Sequence, residues 1–132
     1  MVSPVTVSGL TQTALGALTG FPFALAIDDP EALKKVGIAS PARLRQLHLD
    51  LVIMGGLVAG AGTALPDLPR KVALPLAIGG WTNALAFLPL ATKPELIKDP
   101  RFKAASLASF VLTSTGWVGV AAHAWKKRRG QR

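Results

Sequence analysis

Four polar side chains lie inside stretches of the sequence that are otherwise almost entirely apolar. They are His48, Asp50, Asn83 and His123. An imidazole can ligate a metal ion or move a proton, a carboxylate can accept a proton, and an amide can orient a polar substrate group. Ionisable groups are costly to place within a membrane, so each of the three ionisable residues is a candidate functional residue.

Each of these residues also has an ordinary structural interpretation. His48 can be an interfacial or packing histidine, Asp50 can pair with a polar residue on a neighbouring helix, and Asn83 can cross-link helices. His123 lies close to Trp125 and the basic end of the chain, which is typical of a membrane interface. The sequence contains no Ser-His-Asp arrangement, no glycine-rich phosphate loop and no HExxH helix, and two scattered histidines without cysteine do not make a zinc site.

The elements that carry these residues are set by the distribution of charge. All 15 basic and 7 acidic residues lie outside four stretches, which are 1–27, 51–66, 72–92 and 104–125. A soluble domain spreads charge along its exposed helix faces, whereas a helix that crosses hydrocarbon needs about 20 mostly apolar residues. The sequence therefore predicts an all-α integral membrane bundle, a single membrane domain over 1–132 with transmembrane helices near 5–27, 42–65, 71–92 and 104–125.

The net charge of +8 does not indicate a nucleic-acid partner, because the basic residues are divided among the segments that flank the apolar stretches. Such residues are typical of anchoring to anionic lipid headgroups, so the predicted partner is the lipid bilayer. The predicted location is the bacterial inner (plasma) membrane. Ser40-Pro41 predicts a helix start with Ser40 as the N-cap.

The predicted helices place three of the polar residues at one depth. With a rise of about 1.5 Å per residue, His48 lies about 9 Å and Asp50 about 12 Å below one membrane surface. Asn83, on a helix that runs the opposite way, lies about 12 Å from the same surface. His48 and Asp50 are about 200° apart on their helix and face different neighbours, and His123 lies near the other surface.

Small residues predict close helix packing, with pairs at Gly16 and Gly20, at Gly56 and Gly60, and at Gly55 and Ala59. Below His48 the same helix face continues as a strip of small side chains, which are Val52, Gly55, Ala59 and Gly62. A flat group bonded to the imidazole could lie over this strip. A bundle this small has little interior, so a ligand site at a subunit interface, and hence a homo-oligomer, is expected.

Two segments resemble a family of short four-helix membrane enzymes, the hydroxylaminobenzene mutases and styrene oxide isomerases. Ser40-Pro41 is followed by His48 at the family spacing, and the segment 48–55 is similar to the family pattern H-L-E-G-V-M-N-G. The segment 78–84, which contains Trp81 and Asn83, is similar to Y-G-T-F-A-N-W. The family Asn six residues after the histidine is Met54 here, and the family Tyr is Ile78.

The resemblance implies haem b bound through iron to His48, with Gly55 beside the cofactor, in a homotrimer. Ferric haem would act as a Lewis acid on a small apolar epoxide or aryl hydroxylamine, and a 1,2-shift without net redox change would follow. Asn83 and Asp50 are the candidate catalytic residues, and the implied substrate pocket contains Met54, Ile78, Trp81 and Asn83. The alternatives are a non-catalytic membrane haem protein or an accessory subunit of a larger complex, and more weakly a small transporter or channel.

Overall fold

The computed structural model describes residues 1–130, and these residues form α-helices and one short 3₁₀ helix without any strand. The α-helices are α1 (Pro4–Asp28), α2 (Pro30–Lys35), α3 (Pro41–Ala64), α4 (Arg70–Leu85), α5 (Phe87–Thr92) and α6 (Pro100–Gly130). The 3₁₀ helix, Pro94–Lys98, connects α5 to α6. The all-helical prediction is confirmed for the described part of the chain.

Four helical segments are long and apolar enough to cross a membrane: α1, α3, the combined segment Arg70–Thr92, and α6. Each contains the corresponding predicted transmembrane helix to within one residue. Many large apolar side chains on their outer faces are exposed, among them Leu18, Phe21, Leu57, Leu107 and Val118. This is the surface expected of helices whose outer faces contact lipid.

The helix ends follow local sequence signals. Ser40 is the N-cap of α3, as predicted, because its side chain accepts the Arg43 amide at 3.4 Å and Pro41 occupies the first helical position. Asp29 starts α2 in the same way, accepting the Ala32 amide at 3.1 Å. This short helix lies between the first two predicted transmembrane helices and was not predicted.

The third span is broken at Ala86, which separates α4 from α5. Pro89 explains the break, because it has no amide hydrogen for the Leu85 carbonyl and its ring crowds that carbonyl. The fourth span is longer than predicted and continues beyond Trp125 to Gly130. Lysine and arginine are good helix formers and interact favourably with a helix C-terminus, so the basic end extends the helix.

The bundle consists of two closely packed helix pairs, α1 with α3 and α4 with α6, joined where α3 contacts α4 and α5. Glycines allow the backbones to approach in both pairs. A Cβ added at Gly55 of α3 would lie 2.6 Å from the Thr13 nitrogen of α1, and one at Gly116 of α6 would lie 2.5 Å from the Leu76 Cα of α4. Gly56, by contrast, faces open space.

Candidate functional site

His48 is held by the helix packed against it. The half-buried imidazole of α3 has its Nδ1 2.9 Å from the Gly16 carbonyl oxygen and 3.3 Å from the Thr19 hydroxyl of α1. A carbonyl oxygen only accepts, so the short contact assigns the hydrogen to Nδ1, which donates to Gly16. In the neutral ring, Nε2 then carries the free lone pair, which is the arrangement of many metal-ligating histidines.

The orientation of the ring is fixed from two further sides. Phe23 of α1 stacks on the imidazole with a centroid distance of 5.5 Å and an interplanar angle of 25°. Gly20 lies next to the ring edge, because a Cβ added there would be 3.4 Å from His48 Cε1. The imidazole therefore cannot rotate freely, and its Nε2 keeps one direction relative to α1 and α3.

The small-residue strip below His48 is the contact surface for α1. A Cβ at Gly55 would meet the Thr13 nitrogen at 2.6 Å and the Gly9 oxygen at 2.8 Å, and one at Gly62 would meet the Thr6 nitrogen at 2.5 Å. Inside one subunit, Gly55 thus serves helix packing, and a flat group cannot lie over it without displacing α1.

Asp50 lies half-buried on a different face of α3 from His48, as its spacing predicts. It takes part in none of the ion pairs found within residues 1–130. His48 and Asn83 lie at a similar depth, because Ala39 and Ser40 donate their backbone amides to the Ala91 carbonyl, and His48 follows Ser40 by eight residues as Asn83 precedes Ala91 by eight.

The four residues expected to line a substrate pocket point to different neighbours. Trp81 donates its indole N–H to the Ser8 hydroxyl of α1 at 3.0 Å, and Met54 packs against the buried cluster that contains Val58. Ile78 is 47% exposed on the outside of α4. Asn83 opens into a separate cavity. One subunit does not bring these four side chains together.

The cavity beside Asn83 has a volume of about 400 Å³ and lies between the start of α3, the α4–α5 segment and α6. It is lined by Arg43, Asn83, Ala86, Phe87, Leu90, Ile97, Phe102, Lys103, Ser106, Leu107, Ser109 and Phe110. His48 does not line it. Sequence reasoning missed this cavity because its walls come from separate segments of the chain that no spacing relates.

His123 lies at the opposite end of the bundle, as predicted. Its Nε2 is 3.6 Å from Asp67 Oδ2 in the turn between α3 and α4, and Lys127 Nζ donates to Asp67 Oδ1 at 2.8 Å. The Lys127 hydrogen bond is the main reason that the pKa of the Asp67 carboxyl lies below its ordinary value. Among the described residues, no group of three or more histidine, aspartate or glutamate side chains is placed to hold a metal ion.

Comparison with known proteins finds no matching family model, no matching curated protein and no matching solved structure.

Proposed function

We propose that this chain is an integral membrane protein, crossing the bacterial inner membrane four times, which binds haem b through His48 and catalyses an isomerisation. The single observation that carries the proposal is the hydrogen bond from His48 Nδ1 to the Gly16 carbonyl oxygen at 2.9 Å. Such a bond fixes the tautomer and the orientation of the ring, as in histidines that bind metals. A neutral imidazole nitrogen is an ordinary axial ligand for haem iron.

The residues around His48 would supply one protein ligand to haem iron, but one subunit does not form a complete haem pocket around it. Phe23 and Gly16 hold the ring from α1, while α1 also covers Gly55 and the strip below it. Of the cavities that the described residues form, neither of the two best defined is lined by His48. The proposal therefore includes a homotrimer in which a neighbouring subunit completes the site.

When bound, ferric haem with an open coordination position would supply a Lewis acid that polarises the oxygen of an epoxide or an aryl hydroxylamine. The protein's own part is to hold the iron through His48 and to exclude water with apolar side chains. Met54 and Ile78 offer no hydrogen-bond donor, so they favour a small apolar substrate that enters from lipid. Asn83 and Asp50 remain the candidate catalytic residues, but Asn83 lines a separate cavity and Asp50 lies on another face of α3 from His48, so either would contact this substrate only if it came from a neighbouring subunit.

A turnover assay tests the function. The purified, haem-loaded protein is incubated with an aryl epoxide and, separately, with an aryl hydroxylamine, and the products are separated by chromatography. We expect an aldehyde from the epoxide with the parent protein and with His123→Ala, which removes the histidine at the other end of the bundle. The His48→Ala variant is expected to lose turnover.

The second candidate function is a non-catalytic membrane haem protein or accessory subunit. The observation that favours it is the apolar character of Met54 and Ile78, where the similar enzymes carry an amide and a phenol. Haem retained at His48 without any turnover of either substrate would support this function and contradict the isomerase.

A further inference from the structure

The cavity beside Asn83 has a basic mouth at one end of the bundle. Arg43 lies in the first turn of α3 and Lys103 in the first turn of α6, and both line the cavity. None of the lining residues is an aspartate or a glutamate. The cavity therefore carries two positive charges and no compensating carboxylate.

Neither cation forms an ion pair with the residues described. The Arg43 guanidinium donates to Gln46 Oε1 at 2.8 Å, and neither Arg43 nor Lys103 belongs to an ion pair found within residues 1–130. The Asp99 carboxylate, four residues before Lys103, accepts the backbone amide of Arg101 at 2.7 Å and forms no ion pair with Lys103. The N-termini of α3 and α6 add partial positive charge at the same end, which favours an anion.

The rest of the cavity is apolar and extends away from the charged mouth. Phe110 lies seven residues beyond Lys103 on α6, which places it about 10 Å deeper along the helix axis. The walls of the cavity are mainly hydrocarbon, from Ala86, Phe87, Leu90, Ile97, Phe102, Leu107 and Phe110. The Ser109 hydroxyl is hydrogen-bonded to Thr82 at 2.7 Å, which leaves Asn83 and Ser106 as the other uncharged polar side chains on the wall.

We propose that this cavity binds an anionic phospholipid, with the phosphate at Arg43 and Lys103 and part of one acyl chain along Phe87, Leu107 and Phe110. The observation that carries the proposal is that two cations, neither in an ion pair within residues 1–130, line a mainly apolar cavity in a helix bundle. Basic pockets between transmembrane helices are a known form of lipid-headgroup site. The proposal rests on the membrane insertion stated above and not on haem binding at His48.

Lipid retention by the purified full chain tests the proposal. The protein in a neutral detergent is titrated with phosphatidylglycerol or with phosphatidylcholine, and bound lipid is counted by native mass spectrometry. We expect phosphatidylglycerol to bind more tightly than phosphatidylcholine, by about 30-fold, because about 1 kcal/mol per cation corresponds to about fivefold for each. The double variant Arg43→Gln with Lys103→Gln is expected to lose this preference.

The matched control is the double variant Arg45→Gln with Arg101→Gln. It removes the same net charge from near the starts of α3 and α6, but neither residue lines the cavity. The control is expected to keep the preference for phosphatidylglycerol. If both double variants lost the preference for phosphatidylglycerol equally, the preference would come from general surface charge, and the proposal would be overturned. Equal binding of the two lipids by the parent protein would also overturn it.

The acyl chain is tested separately. Ser106→Phe, which places a ring in the cavity, is expected to weaken phosphatidylglycerol binding at least fivefold, and soluble glycerol phosphate is expected not to compete. Competition by glycerol phosphate, or full binding by Ser106→Phe, would contradict the acyl-chain part. His48→Ala is expected to retain the lipid, so that loss of haem and loss of lipid can be distinguished. A chain that stays soluble without detergent would refute membrane insertion itself.

Discussion

Two adjacent glycines of α3 provide a direct test of how α1 packs on that helix. Gly55 is buried beneath α1, whereas Gly56 has no heavy atom within 4 Å of an added Cβ. The same substitution, glycine to alanine, thus places a methyl group against a backbone at one position and in open space at the next. The two variants share their intrinsic gain in helix propensity, about 1 kcal/mol, so it cancels in the comparison.

The structure sets the size of the difference. The Cβ of Gly55→Ala would lie 2.6 Å from the Thr13 nitrogen, about 0.8 Å less than the 3.4 Å at which ordinary contact begins. Two of the three obstructing atoms, the Thr13 nitrogen and the Gly9 oxygen, belong to the backbone of α1, which cannot move aside as a flexible side chain does. Overpacking of this kind costs about 1–3 kcal/mol, so Gly55→Ala should be less stable than Gly56→Ala by that amount, about 5- to 150-fold in the folding equilibrium.

Unfolding in mixed micelles, titrated with dodecyl sulfate and followed by tryptophan fluorescence, measures the difference. The midpoint for Gly55→Ala should fall below that of Gly56→Ala, and Gly56→Ala should be at least as stable as the parent protein. Equal midpoints for the two variants would refute the assigned rotation of α3 against α1.

Two other sites, Gln12 and Asp67, give predictions for the stability of the fold. Gln12 is fully buried and donates to the Gly80 carbonyl at 2.9 Å, but its Oε1 has no partner within residues 1–130. Gln12→Leu should therefore change the free energy of unfolding by less than about 1 kcal/mol. Gln12→Ala should lower it by about 2 kcal/mol or more because it leaves a cavity, and the same titration measures both variants. Lys127 lowers the pKa of Asp67 in the folded state. The stabilisation from this ion pair is therefore present above the ordinary carboxyl pKa of about 3.9, and it is lost as the pH falls through the lower pKa of the folded state. The difference in melting temperature between the parent protein and Asp67→Asn should accordingly shrink below about pH 4, and a constant difference would contradict the ion pair.

The helices could be predicted from the sequence because charge-free runs and N-cap signals are local. Ser40 and Pro41 mark the start of α3, and the depth shared by His48 and Asn83 follows from helix rise alone. The rotation of α3 could not be predicted in this way. Gly55 and Gly56 begin two similar small-residue pairs one position apart, and only the side chains of α1 decide which pair is covered.

The candidate site was predicted in parts. The spacing of His48 identified the residue, but its hydrogen bond to Gly16 and its contact with Phe23 depend on tertiary packing between helices. Pro89 carried a signal for the break at Ala86, since proline removes a helical hydrogen bond. The cavity with Arg43 and Lys103 required the fold, because its walls meet only after α3, α5 and α6 have packed.

The absorption spectrum of the purified protein, expressed with ample haem, tests the central claim most directly. The account predicts a Soret band in the parent protein and in His123→Ala, and its loss in His48→Ala, whose fold is checked by the unfolding titration. A parent protein without the band, or a band of full intensity in His48→Ala, would contradict the assignment of His48 as the haem ligand.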